Sequence, residues 1–318
     1  MKKPYNIILI ISILIMSFSC DDVFEEDISE DLIQITAPIP NTIIRGNTVQ
    51  FLWEELEGAD NYRIQIMNNN RENIVDSLVS INSFTYILNP NEYQWTVRAE
   101  NFAYQTEYVS QINFTVQSSD DLTNQNVSLL TPTDNIFTNS SNIIFNWTEL
   151  ANADTYTFIL IRRGNNDQTI FEERDHTTTS INIDENVLNE DSEYRWLVGA
   201  SNTISETTLT ERSFFLDRVS PNQPILMLPT DQLTTGLSNI TFNWSNGTDS
   251  GNVQSTITNT FQISTNIDFT TTITSETTEN NSIQFEFTTP NTYYWRVRAS
   301  DESGNESDYS TIRSIIVQ

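Results

Sequence analysis

The 318-residue chain holds one cysteine, Cys20, and one histidine, His176. A single thiol cannot close a disulfide within the chain, and a zinc centre of the Cys/His type draws on several such ligands. Both are excluded by count. His176 stands in Arg174-Asp175-His176-Thr177. Serving a hydrolytic triad would require a placed nucleophile and an oxyanion hole, and no Gly-x-Ser-x-Gly elbow occurs in the chain. His176 therefore reads as a solvated residue between strands. With eight glycines in all, no phosphate-cradling loop is present. Oxygen ligands are more plentiful. Two acid-rich runs, Asn246-Gly247-Thr248-Asp249-Ser250-Gly251 and Asp301 through Asp308, offer Asp249, Asp301 and Asp308 as candidates for Ca²⁺. Turn chemistry accounts for the same composition. Paired carboxylates for glycoside hydrolysis would need a deep cleft, and acids this plentiful do not by their number point to one. Phe102 and Tyr104 present aromatic faces of the kind that suit a sugar ring or a partner protein.

The elements around Cys20 say what its thiol is for. Met1-Lys2-Lys3 precedes a ten-residue apolar run, Ile7 to Met16, broken only by Ser12, and then Ser17-Phe18-Ser19-Cys20. A basic start, a short apolar run and small residues before a cut site make a secretory signal peptide. Ten residues at about 1.5 Å each cover roughly half of a bilayer core, too little to span it. The motif resembles a bacterial lipobox, which implies cleavage after Ser19 and acylation of Cys20; Ser17 stands where Leu is usual. Residues 21–31 then carry seven carboxylates in eleven positions. Such a run is solvated and extended, a tether that holds the first domain off the membrane. It also resembles the acidic export signal of Bacteroidota-type surface lipoproteins. That resemblance implies an outer-membrane, surface-exposed location, with a periplasm-facing one as the alternative.

The composition narrows the partners. Fifteen basic against 43 acidic residues give a formal charge of −28, which repels nucleic acid and anionic lipid. Hydrophobic residues make up 37% of the chain, with six Trp, eleven Tyr and seventeen Phe, enough for small aromatic cores. Thr, Asn and Ser are abundant and no stretch keeps a helical period, so the class is all-β.

All six Trp fall into a threefold repeat. Phe51-x-Trp53, Phe145-x-Trp147 and Phe242-x-Trp244 form one set. Tyr93-x-Trp95-x-Val97-x-Ala99, Tyr194-x-Trp196-x-Val198-x-Ala200 and Tyr293-x-Trp295-x-Val297-x-Ala299 form the other. Alternation puts the named side chains of each run on one face of a strand, and two facing sheets would bury both Trp of a copy together. A further strand follows at Tyr62-x-Ile64-x-Ile66 and Tyr156-x-Phe158-x-Leu160, and comes late in the third copy, at Phe261-x-Ile263. The extra residues lie between Ser245 and Thr260, as a surface-loop insertion.

Each copy resembles a fibronectin type III domain or a close immunoglobulin-like relative. The resemblance rests on the early-strand Trp and on the pairs Ile87/Tyr93, Leu188/Tyr194 and Phe287/Tyr293, which match a tyrosine corner. It implies three tandem seven-strand antiparallel sandwiches, near 32–117, 127–218 and 224–318, after a signal peptide at 1–19 and the lipidated tether at 20–31. It also implies that the two acid-rich runs are the B–C and F–G loops at one end of the third sandwich. Between sandwiches, 117–126 has no proline and is expected to be flexible, while 217–224 carries Pro221 and Pro224 and is expected to be stiffer. The expected function is a non-catalytic surface binding, adhesion or structural module. The alternative is a glycan-capture accessory of an outer-membrane polysaccharide uptake system, for which only Phe102 and Tyr104 remain as platform residues. The partner is the membrane through Cys20 together with a protein or glycan ligand.

Overall fold

In the computed structural model residues 25–318 are described; Cys20 and the expected signal peptide lie outside the described residues. Every regular element among the described residues is a strand. The first copy contains β1 (Ile35–Ala37), β2 (Thr42–Arg45), β3 (Thr48–Trp53), β4 (Asn61–Asn68), β5 (Asn73–Val79), β6 (Ser83–Ile87), β7 (Asn91–Glu100) and β8 (Ile112–Gln117). The second contains β9 (Leu129–Thr131), β10 (Ile136–Thr138), β11 (Ile143–Trp147), β12 (Thr155–Arg162), β13 (Gln168–His176), β14 (Ser180–Ile183), β15 (Ser192–Ser201) and β16 (Thr210–Leu216). The third contains β17 (Ile225–Leu228), β18 (Leu233–Thr235), β19 (Asn239–Ser245), β20 (Thr258–Ser264), β21 (Thr272–Thr278), β22 (Ser282–Glu286), β23 (Asn291–Ser300) and β24 (Arg313–Val317).

Each copy pairs a three-stranded sheet with a five-stranded one. The orders are β1-β3-β6 and β2-β8-β7-β4-β5, then β14-β11-β9 and β10-β16-β15-β12-β13, then β17-β19-β22 and β18-β24-β23-β20-β21. The second and third sandwiches belong to one compact unit, and the first, apart from residues 43–49, 86–90 and 116–117, forms another.

The sandwiches have eight strands, not seven, and are not purely antiparallel. β10 pairs parallel with β16, and β18 parallel with β24. The extra strand arises at Pro38, Pro132 and Pro229, each preceded by a cis peptide bond. Proline has no N–H to give a ladder, so the short first strand ends there. Three residues on, Asn41, Asn135 and Gln232 take the left-handed conformation, and the chain re-pairs on the opposite sheet.

The cores follow the alternation. All six Trp are at most 2% exposed. Trp95 meets Phe51 edge-on at 5.0 Å, Trp196 meets Phe145 at 5.1 Å and Trp295 meets Phe242 at 4.9 Å, so one contact is made three times. Such pairs add about 0.5–1.5 kcal/mol beyond area burial. The tyrosine corner closes in the second and third copies: Tyr194 donates its hydroxyl proton to the Glu190 carbonyl at 2.6 Å, and Tyr293 donates to Thr289 at 2.8 Å.

The segments between cores depart from expectation. Residues 117–126, read as flexible, are packed. Leu122 is fully buried in the core of the second sandwich with Val127, and the Gln125 amide donates to the carbonyls of Ser119 and Asp121. The acidic run before the first sandwich is also not extended throughout, since Ile28 is fully buried and Asp31 N–H closes a turn on its carbonyl. Ile28 and Leu122 stand ten residues before Pro38 and Pro132, an apolar pin repeated at one register. The hydrophobic gain of one such pin, of order 1.5–3 kcal/mol, outweighs the solvation preference of its polar neighbours.

Candidate metal centre

One end of each sandwich is tied by three positions that recur in register. The first lies twelve residues before the repeated proline: Glu26, Asp120 and Asp217. The second lies five residues after the early-strand Trp: Gly58, Asn152 and Asp249. The third lies eight residues after the corner tyrosine: Asn101, Asn202 and Asp301.

In the first two copies the third position is an asparagine, and its amide is a knot. Asn101 Nδ2 donates to the carbonyls of Glu26 at 2.8 Å and Gly58 at 2.9 Å. Asn202 Nδ2 donates to those of Asp120 and Asn152, both at 2.9 Å. Their Oδ1 atoms accept from the F–G loop backbone, from Ala103 and Tyr104 in one case and from Ile204 and Ser205 in the other. One side chain thus joins the entering segment, the loop between β3 and β4 or β11 and β12 (the B–C position) and the loop between β7 and β8 or β15 and β16 (the F–G position). Asn202→Asp is expected to leave both carbonyls without a donor. Both bonds are exposed, so water replaces part of what is lost, and a loss of about 0.5–1.5 kcal/mol is expected in denaturant unfolding of the second sandwich.

The third copy carries a carboxylate at all three positions. Oxygens of Asp217, Asp249 and Asp301 lie within 4.8 Å of one another. The F–G loop is one residue longer here, closing on a Ser300–Glu306 bridge where the others use Glu100–Gln105 and Ser201–Glu206. That extra length brings in Asn305, whose Nδ2 takes over the donation to the entering carbonyl, Asp217 O, at 2.9 Å. Asn305 also donates from its backbone N to Asp301 Oδ1 and from Nδ2 to Asp301 Oδ2, both at 2.8 Å. Asp249 Oδ1 accepts from Ser250 N, and its Oδ2 from Ser255 N at 2.6 Å. Asp217 is held to the second sandwich through its own N–H, which donates to Thr138 O at 3.0 Å. Its Oδ1 accepts from Val219 N, but its Oδ2 is buried with no hydrogen-bond partner, in a residue that is 0% exposed. Burial pushes the Asp217 carboxyl above its ordinary range; the Val219 N–H works against this, and the negative charges of Asp249, Asp301 and Asp191 add to it. The adjacent Arg218 gives no relief, because its Nε donates to Asp191 at 2.6 Å.

Of the sequence candidates, Asp249 and Asp301 are therefore brought together. Asp308 is exposed and outside the group. Asp217 was missed, and the signal that reveals it is the common register of three acids in one copy only. His176 is not a solvated loop residue. It ends β13 beside Trp147, 5.9 Å between ring centroids, with Nδ1 at 2.7 Å from Glu173 Oε1 and Nε2 at 2.9 Å from the Ser180 carbonyl. Thr178 Oγ1 also lies 2.7 Å from Nε2. Phe102 is 92% exposed at its loop tip, and Tyr104 is 38% exposed beside it. An open groove of about 760 Å³ on the second sandwich holds Arg162 and Arg163, each already paired, with Glu190 and Asp167.

No family model and no curated protein matches the chain. Among solved structures it is similar to the FN1–FN3 domains of chicken CNTN1, at 14% identity over 90% of this chain and 97% of that one, with a TM-score of 0.40. It is also similar to the fibronectin(III)-like modules of Clostridium thermocellum CbhA, at 10% identity over 58% and 94%, with a TM-score of 0.23.

Proposed function

We propose that the chain is a non-catalytic cell-surface lipoprotein, anchored through Cys20, whose tandem sandwiches act as a binding or structural module. The observation that carries this reading is where the aromatic side chains go. All six Trp are consumed by the cores. What the loops offer instead is single apolar side chains at two F–G tips, Phe102 at 92% and Ile204 at 71% exposure. Exposed side chains on loops held by a rigid scaffold are the usual means by which such folds bind. A small number of aromatic or branched anchors ordinarily dominates a protein interface. His176 is engaged by Glu173 and the Ser180 carbonyl, and no sequence motif supplies a nucleophile with an oxyanion hole.

A second reading, capture of a glycan for an uptake system, draws on Phe102 and Tyr104 as a pair of neighbouring aromatic faces. The two readings separate on one experiment. The full chain, solubilised in detergent, is applied to a glycan array and, in parallel, displayed on vesicles for adhesion to a protein-coated surface. Adhesion that falls about tenfold or more in the Phe102→Ala, Tyr104→Ala double variant, with no sugar retained, supports the module reading; a loss of that size is what truncating a hot spot brings. Sugar binding lost in that variant replaces it with glycan capture. Activity in both assays that the variant leaves intact removes the F–G tip from either reading.

A further inference from the structure

We infer that Asp217, Asp249 and Asp301 form a divalent-cation site, best suited to Ca²⁺, that locks the second sandwich to the third. The first and second copies hold this point together with the positive end of an amide group. In the third copy the amide is replaced by a carboxylate, and the two positions it would tie also carry carboxylates. Three negative charges converge where the other copies place a donor, and no hydrogen bond to Asp217 Oδ2 compensates. A fully buried carboxylate oxygen without a donor is costly unless something cationic meets it. The nearest arginine in sequence, Arg218, is committed to Asp191 and to the Asn189 carbonyl. A cation answers all three observations at once: the missing donor, the converging charge and the substitution confined to one copy.

The donor set selects the class of ion. All three ligands are hard oxygens, which suit Ca²⁺, Mg²⁺ or Mn²⁺ and disfavour softer metals. Oxygens on one Ca²⁺, at about 2.3–2.6 Å each, stand up to about 5 Å apart, whereas Mg²⁺ at about 2.0–2.1 Å holds them closer and in rigid octahedral geometry. Carboxylates within 4.8 Å of one another, carried by two loops and a strand end, fit the larger and more tolerant ion. Loop positions are already fixed for this. Asp249 is held by Ser250 and Ser255, and Asp301 by Asn305, so each carboxylate is oriented before an ion arrives. Asp217 belongs to the end of the second sandwich through Thr138, while the other two belong to the third. The ion therefore bridges sandwiches, and the Asn305 bonds to Asp217 O and to Asn139 Nδ2 lie along the same junction.

Asp301→Asn gives the third copy the residue that the first two use, so it is a conservative variant expected to fold. The full chain in detergent is titrated with Ca²⁺ by calorimetry in the presence of excess Mg²⁺, which covers diffuse binding to the acidic surface. One Ca²⁺ site is expected, weakened at least about tenfold in Asp301→Asn and in Asp249→Asn, since affinity in such sites follows the number of charged ligands. Thermal unfolding supplies a second measurement on the same proteins. In chelator the Asp301→Asn chain is expected to melt above the parent, because it relieves repulsion and offers an amide donor. In Ca²⁺ the order is expected to invert. Tryptic cleavage after Arg218, in the junction, is expected to slow with Ca²⁺ in the parent alone. Equal Ca²⁺ titrations for parent and Asp301→Asn, or the same order of melting with and without Ca²⁺, would overturn the site.

Discussion

Trp196→Ala is expected to cost the second sandwich about 3–5 kcal/mol, the range for removing a large buried aromatic. Trp196 is fully buried, stands edge-on to Phe145 at 5.1 Å and lies 6.3 Å from Phe158. Those two rings come from strands of opposite sheets, so the indole is the filler between the layers and its loss leaves a void that neither sheet can close alone. A domain of this size has about 5–15 kcal/mol in total and, with one cysteine in the chain, no internal disulfide to fall back on. The melting temperature of this sandwich should fall by roughly 12 °C or more, at about 4–8 °C per kcal/mol. Hydrogen exchange resolved by segment places the loss in 129–216, and Phe102→Ala, at an exposed tip, is the control expected to stay within about 0.5 kcal/mol. A change below about 1 kcal/mol for Trp196→Ala would sink the account of the core. Trp196→Phe adds a finer check. Trp196 Nε1 has no partner, whereas Trp95 Nε1 donates to the Pro38 carbonyl at 3.2 Å. The Phe substitution should therefore cost less at 196 than at 95, because only the latter also strands a carbonyl.

How much of this was legible in the sequence depended on whether a residue's job leaves a periodic mark. Tyr-x-Trp-x-Val-x-Ala does, since burial on one face of a strand forces period two, and all three copies of it are inward-facing along β7, β15 and β23. The edge strand β21, Thr-Ile-Thr-Ser-Glu-Thr-Thr, leaves none: it is mostly exposed and held by ladder bonds to β20. The short parallel strands β10 and β18 are likewise invisible, because three residues give too little pattern to separate them from the strand before the proline. Ile28 and Leu122 were hidden in another way. Each is a single apolar residue in an acidic or polar stretch, where composition argues for solvent and only the common distance to the proline argues for burial.

The acidic site divides along the same line. Asp249 and Asp301 sit in oxygen-rich runs and could be picked out by type. Asp217 directly succeeds β16 and is one acid among 43, so nothing local distinguishes it. Asp308 looked equivalent to Asp301 because both stand in one run, yet spacing along a loop does not fix direction as spacing along a strand does. Comparing the chain with itself removes the ambiguity: the first position is acidic in every copy, but only the third copy puts an acid at the other two, Asp249 and Asp301, and this shows only when three copies are laid in register.

Cys20→Ala is expected to move the protein from the membrane fraction to the soluble one almost completely. The proposal of surface anchoring stands on that residue, since no helix among the described residues is long and apolar enough to cross a membrane. One acyl chain gives only marginal binding, about 10⁴ M⁻¹, so stable retention takes the several chains that a lipobox cysteine receives. The rest of the molecule works against adhesion to lipid, because a formal charge of −28 is repelled by an anionic surface. The acylated Cys20 is the anchor this proposal names, so the expected effect of its removal is larger than that of any change to a surface loop. Fractionation of cells expressing parent and variant reads it directly, with the melting curve of the variant showing whether the sandwiches are intact. A variant that folds and still sediments with membranes would refute the anchor. Protease applied to intact cells then decides orientation: digestion of the parent places the sandwiches outside the cell, where a protein or glycan ligand can reach Phe102, and protection places them in the periplasm.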